Sequence, residues 1–131
     1  LKKYSDTTSV IFLEESLHGD KLKTARRLFT KKIITSLPDV IITSNDLIAQ
    51  GIISAAHENG INIPNDMQIT GFDDSLSSAY FIPSVTTVSQ NIDKLAKRCF
   101  SMLMDLINKK SAVSSIIEQN IIARNSAKIN I

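Results

Sequence analysis

Cysteine is nearly missing from this chain of 131 residues: Cys99 stands alone, so there is no internal disulfide framework, and a reducing compartment fits. Excess charge of one sign is also small, with 15 Lys and Arg against 13 Asp and Glu. A net charge of +2 is too small for a nucleic-acid surface, which shows a clustered basic face. No apolar run approaches the roughly 18 residues a membrane span needs, and no signal peptide opens the chain. There is no G-x-S-x-G elbow and no phosphate-cradling G-x-x-x-x-G-K-[ST] segment. His18 and His57 have no paired nucleophile in sight. Internal repeats, low-complexity tracts and linkers are missing too, so one domain with a sizeable core is expected. The chain opens on Leu1 rather than Met, which reads as a processed or excised piece.

What is present is an alternation of β-rich and helical segments. Thr8–Glu14 reads as a buried strand, and Asp20 as the N-cap of a helix over Lys21–Ile33. The basic face of that helix (Lys21, Lys23, Arg27, Lys31) reads as solvated. The run Val40-Ile41-Ile42 suits a strand covered on both faces. A second helix over Leu47–Asn59 ends at Gly60, a good left-handed stop. A strand over Met67–Phe72, a short β segment Val85–Val88, a helix Ile92–Asn108 and a last strand Ser115–Arg124 complete the order. The helix Ile92–Asn108 has apolar residues at three-four spacing, with Cys99 and Met102 on that stripe. Cys99, Met102 and Met104 all read as packing residues. Strands alternating with helices predict an α/β fold with a doubly wound parallel sheet.

In such sheets ligands bind beyond the carboxyl ends of the strands. Three polar clusters fall there: Ser44-Asn45-Asp46, Gly71-Phe72-Asp73-Asp74 and Gln90-Asn91. Their amide and carboxylate groups can exchange hydrogen bonds with hydroxyls or amides, and Phe72 can offer an apolar face. The structural readings stay open beside this one. Asn45 can be only a helix cap, Asp46 only a first-turn carboxylate, and Asp73 or Asp74 only the organiser of a turn. The adjacent carboxylates also raise a metal or phospho-acceptor enzyme, but no further carboxylate is placed to complete a metal site.

The run PDVIITSNDLIAQGIISAAHENGINIPNDMQITGFDDS, followed by IPSVTTVSQ and a terminal IIARNS, resembles the C-terminal part of the effector-binding region of lactose-repressor (LacI/GalR) family transcriptional regulators. The resemblance covers about 90 residues, from Pro38 to Ala127. It implies a type I periplasmic-binding-protein-like fold, in which two α/β subdomains close on a small effector, with this chain holding the C-terminal one and its crossover helix. It implies that Asn45 and Asp73 contact the effector, that Gln90 lies on the hinge side of the cleft, and that Asp74 is structural. It also implies a cytoplasmic homodimer meeting through Gln50, Tyr80 and Phe81, with a sugar or related effector, no cofactor and no membrane partner. Operator DNA would be bound only through a helix-turn-helix module that this sequence lacks. Most of the N-terminal subdomain and a common effector-contacting arginine are also missing, and Asn91 stands where many members have proline. The alternative is the sugar-binding protein of an ABC transporter, which shares the fold.

Overall fold

The computed structural model describes residues 19–129. The expected strand Thr8–Glu14 and His18 lie outside them. Asp20 caps the first helix, α1 (Lys21–Leu28), its carboxylate accepting the Lys23 amide at 3.1 Å. The helix continues as a wider π turn, Phe29–Ile33, that carries Phe29 and Ile33 into the core. Strand β1 (Val40–Ile42) leads into helix α2 (Asp46–Glu58), and β2 (Gln68–Thr70) follows. A short helix α3 (Leu76–Tyr80), strand β3 (Thr87–Ser89), helix α4 (Ile92–Ile107) and strand β4 (Asn120–Ile122) complete the described chain.

Helices α1 and α2 pack together over β2. Gly51 is what lets them meet: a Cβ there would lie 2.7 Å from the Leu22 carbonyl oxygen and 2.8 Å from the Ala25 Cβ. The contact closes at its far end with Arg26, which donates to both Glu58 oxygens at 2.6 and 2.7 Å and also bonds the Ser54 hydroxyl. Ile48, Ile52, Ala55 and Ala56 point from α2 into a core shared with Met67, Ile69 and Val85. Each large side chain buried there contributes about 1.5–3 kcal/mol of apolar transfer energy. Gly60 takes φ +73° just after α2, as a left-handed stop requires.

Strands β1 and β2 pair in parallel, Ile41 opposite Ile69. A parallel bridge from Thr70 to Thr86 extends that sheet to the segment entering β3. Several expectations need correction here. The last strand is three residues long rather than ten, and it pairs antiparallel with β3, so not all strands run one way. Asn120–Ile122 pairs because it faces β3 directly. Among the described residues Ser115–Glu118 is held by an Arg98 bond to the Ser115 hydroxyl and an Asn91 bond to the Glu118 carbonyl, with Arg98 also bonding the Val113 carbonyl just before it. The run Val40–Ile42 is covered on one face only: Ile42 is 83% exposed among the described residues. Helix α3 starts at Ser75, whose carbonyl accepts the Ser78 amide at 2.9 Å, and Gln50 donates to the Ser77 and Ser78 hydroxyls.

Helix α4 departs furthest. The packing role expected for Cys99 and the methionines is not met: α4 buries no residue, and Cys99 is exposed. Leu95, Phe100, Leu103, Met104, Leu106 and Ile107 are all exposed as well. The helical period was right; the surface that the stripe would cover is not among the described residues.

Candidate functional site

Strand β2 runs out at Gly71, beside the N-terminus of α2, and the chain turns sharply over the next three residues. Asp73 (φ 110°) and Asp74 (φ 55°) both stand in the left-handed region. Apart from glycine, aspartate and asparagine enter that region most readily, so the paired carboxylates have a backbone reason to be there. Such a residue costs about 1–3 kcal/mol and persists when its surroundings over-determine it. Here the Asp73 amide donates to the Val88 carbonyl at 3.0 Å, and the Asp74 amide to the Thr87 hydroxyl at 3.4 Å. Arg124 pairs with the Asp74 carboxylate at 2.6 Å and donates to the Val85 carbonyl at 2.9 Å. Asp74 is thereby committed to holding the fold.

Asp73 is not so committed. Its Oδ1 accepts from Gln90 Nε2 at 2.7 Å and its side chain is open to solvent. Next to it lies a recess of about 350 Å³ lined by Asp73, Asp74, Ser89, Asn91, Ile92, Asp93 and Lys94. Asp73 therefore presents a carboxylate oxygen, an acceptor, to a polar recess, and Gln90 holds it from outside the lining. Asn45 caps α2, its Oδ1 accepting the Ile48 amide at 3.0 Å, which leaves its amide NH2 available. It stands at the end of β1, next to the Asp46–Phe72 backbone bond (2.9 Å). Phe72 is half-buried. The structure thus joins Asp73 to Gln90 directly. Asn45, Phe72 and Gln90 do not line the recess.

Asp46 was underrated in the sequence. Besides opening α2, its carboxylate is 1% exposed and bridges two elements. Oδ1 accepts the Thr87 hydroxyl at 2.6 Å and Oδ2 the Ser75 amide at 2.7 Å. Gly71 makes room for it: a Cβ at Gly71 would lie 2.1 Å from Asp46 Oδ1. The signal was the pairing of Asp46 with a glycine ending the neighbouring strand, which spacing alone does not reveal.

Of the residues expected at a dimer surface, Tyr80 is 79% exposed, with Leu76 and Ile82 exposed beside it. Phe81 is half-buried and packs against the core. Gln50 is 3% exposed and donates to the Ser77 and Ser78 hydroxyls at 2.9 and 3.1 Å. It supports α3 from beneath. Among the described residues no three His, Cys, Asp or Glu side chains gather as a metal would need, and no helix is long and apolar enough to cross a membrane.

Parallel strands β1 and β2 with helices packed on them, and a polar recess beside the turn after β2, define an α/β fold of the periplasmic-binding-protein kind. The chain belongs to the periplasmic binding protein-like domain family, whose pattern matches residues 6–127. It is 35% identical over 95 residues to the HTH-type transcriptional repressor PurR of Pasteurella multocida, covering 71% of this chain and 28% of that protein. A periplasmic binding ribose operon repressor protein from Lactobacillus acidophilus superposes with TM-score 0.77 at 31% identity, over 89% of this chain and 44% of that one. A LacI-type transcription regulator from Bifidobacterium animalis subsp. lactis gives TM-score 0.70 at 26% identity, over 83% and 39%. The resemblance to lactose-repressor family regulators is borne out by these relatives. The chain spans about a quarter of the length of the curated relatives it matches.

Proposed function

We propose that this chain is the C-terminal part of the effector-binding region of a LacI/GalR-type transcriptional regulator, in which a small molecule controls DNA binding. The observation that carries this reading is Asp73, held by Gln90, at the 350 Å³ recess beyond the carboxyl end of β2 in its parallel pair with β1. Asp73 and Gln90 offer acceptors and Asn45 an amide donor, which suits a neutral ligand with several hydroxyls, a sugar or a related compound. Asp73 and Asp93 against Lys94 disfavour a phosphorylated or carboxylated ligand. The role is binding rather than catalysis, and the setting is cytoplasmic. The transporter-component reading draws nothing from the relatives, which are named as repressors.

The second wall of the cleft comes from an N-terminal subdomain beyond this sequence, and operator contact from a further DNA-binding module. Two copies meet through the surface that Tyr80, Leu76 and Ile82 present, with Gln50 holding α3 in place. In the longer protein, Asp73→Ala abolishes release or capture of operator by effector in a gel-shift assay while operator affinity without effector is unchanged. A variant that responds to effector as the parent does would remove Asp73 from the site. The 131 residues alone give no salt-resistant specific complex with that operator; one that forms would refute the division of labour.

A further inference from the structure

Asp46 lies outside the recess, yet it bonds the residue before the Asp73–Asp74 turn, a residue of β3 and the residue that starts α3. It opens α2, and its backbone amide holds the Phe72 carbonyl just before the left-handed turn. One carboxylate oxygen holds Thr87 on β3, whose hydroxyl also accepts the Asp74 amide. The other holds the amide of Ser75, the residue that starts the helix carrying Tyr80. Both bonds are short and charge-assisted; Asp46 and Thr87 are fully enclosed and Ser75 is half-buried, so the carboxylate and the hydroxyl cannot turn to water instead.

We propose that Asp46 is the positioning residue that couples the Asp73–Asp74 turn to α3, so that a ligand drawn onto Asp73 resets the placement of Tyr80. This rests on the effector reading for the identity of the trigger, but the coupling itself is a property of the ligand-free chain. A displacement of Asp73 moves the Asp74 amide against the Thr87 hydroxyl. The shared carboxylate passes that movement to Ser75, because its two oxygens are rigidly joined. The core leaves it no room to yield: Gly71 already sits where any added atom would strike Oδ1.

The test uses ligand-free chain and three perturbations read by NMR. Gln90→Ala removes the partner of Asp73, and the Tyr80 ring signals are expected to shift. In a Thr87→Val background, which cuts the β3 arm, the same Gln90→Ala change leaves Tyr80 unmoved. Thr87→Val itself speeds exchange of the Ser75 amide about tenfold, as expected when a buried bond network is opened. Asp46→Asn keeps that amide protected, since its oxygen still accepts from Ser75 and its NH2 donates to Thr87. Ile53→Val, a core change away from the network, lowers stability without selective exchange at Ser75 and controls for general loosening. Equal Tyr80 shifts in both backgrounds, or exchange at Ser75 that merely follows the Ile53→Val control, would overturn the coupling. Neither outcome bears on whether Asp73 contacts a ligand, which titration decides separately.

Discussion

Replacing Leu103 and Leu106 of α4 with lysine should leave the fold of this chain intact, although both are large apolar residues on a regular helical stripe. Leu103 is 53% and Leu106 58% exposed, and α4 buries no side chain. In a packed core, truncating leucine to alanine costs about 2–5 kcal/mol each, and placing a charge there costs more. On a helix without packing partners the same changes fall within about 0.5 kcal/mol. Association should respond in the opposite sense. Each leucine has roughly half its surface still to bury, so each is worth about 1 kcal/mol to any surface that covers it. With Leu95, Phe100, Met104 and Ile107 also exposed, an uncovered α4 invites pairing with a second copy. Urea melts and sedimentation velocity separate the two effects. The expected outcome is an unchanged urea midpoint together with loss of the assembly, larger than the dimer formed through the Tyr80 surface, that the unaltered chain forms at high micromolar concentration. A fall of 2 kcal/mol or more in unfolding free energy would show that α4 folds back onto its own domain. A chain that stays monomeric before substitution would show that α4 needs a different cover, the N-terminal subdomain above all.

Two further outcomes follow from close contacts. Gly51→Ala puts a methyl group 2.8 Å from the Ala25 Cβ and drives α1 off α2, which should destabilise the chain by about 1–3 kcal/mol in a urea melt; a neutral change would mean that the two helices are not seated so closely in solution. Arg124→Met leaves the half-enclosed Asp74 carboxylate without its 2.6 Å partner and the Val85 carbonyl without a donor, a loss of about 2 kcal/mol given the partial exposure of the pair; an unchanged midpoint would show that water replaces the guanidinium freely.

The helices were readable because their periodicity and stops are local. Asp20 and Asn45 cap as their residue types predict, and Gly60 supplies the left-handed stop. The direction of the last strand was not readable, because Asn120–Ile122 takes its partner from β3, some thirty residues earlier, and no turn signal fixes that pairing. The site divides in the same way. Adjacent aspartates at a strand end could be seen at once, but their division of labour depends on Arg124, fifty residues away, which claims Asp74 and leaves Asp73 open. The buried bridge of Asp46 is likewise a product of three distant segments meeting, so its residue type alone read as an ordinary first-turn carboxylate. The stripe of α4 carried a different lesson. Amphipathic spacing says that a helix has a face to bury, not which surface buries it.

The effector reading is tested most directly by calorimetric titration of the full-length protein containing this chain with neutral pentoses, hexoses and nucleosides and with their phosphorylated forms. The prediction is that a neutral ligand binds, and that Asp73→Ala weakens it by about 1.5–3 kcal/mol, the range for hydrogen bonds to a charged group. Binding of that ligand with unchanged affinity in Asp73→Ala, or binding of phosphorylated forms alone, would contradict it.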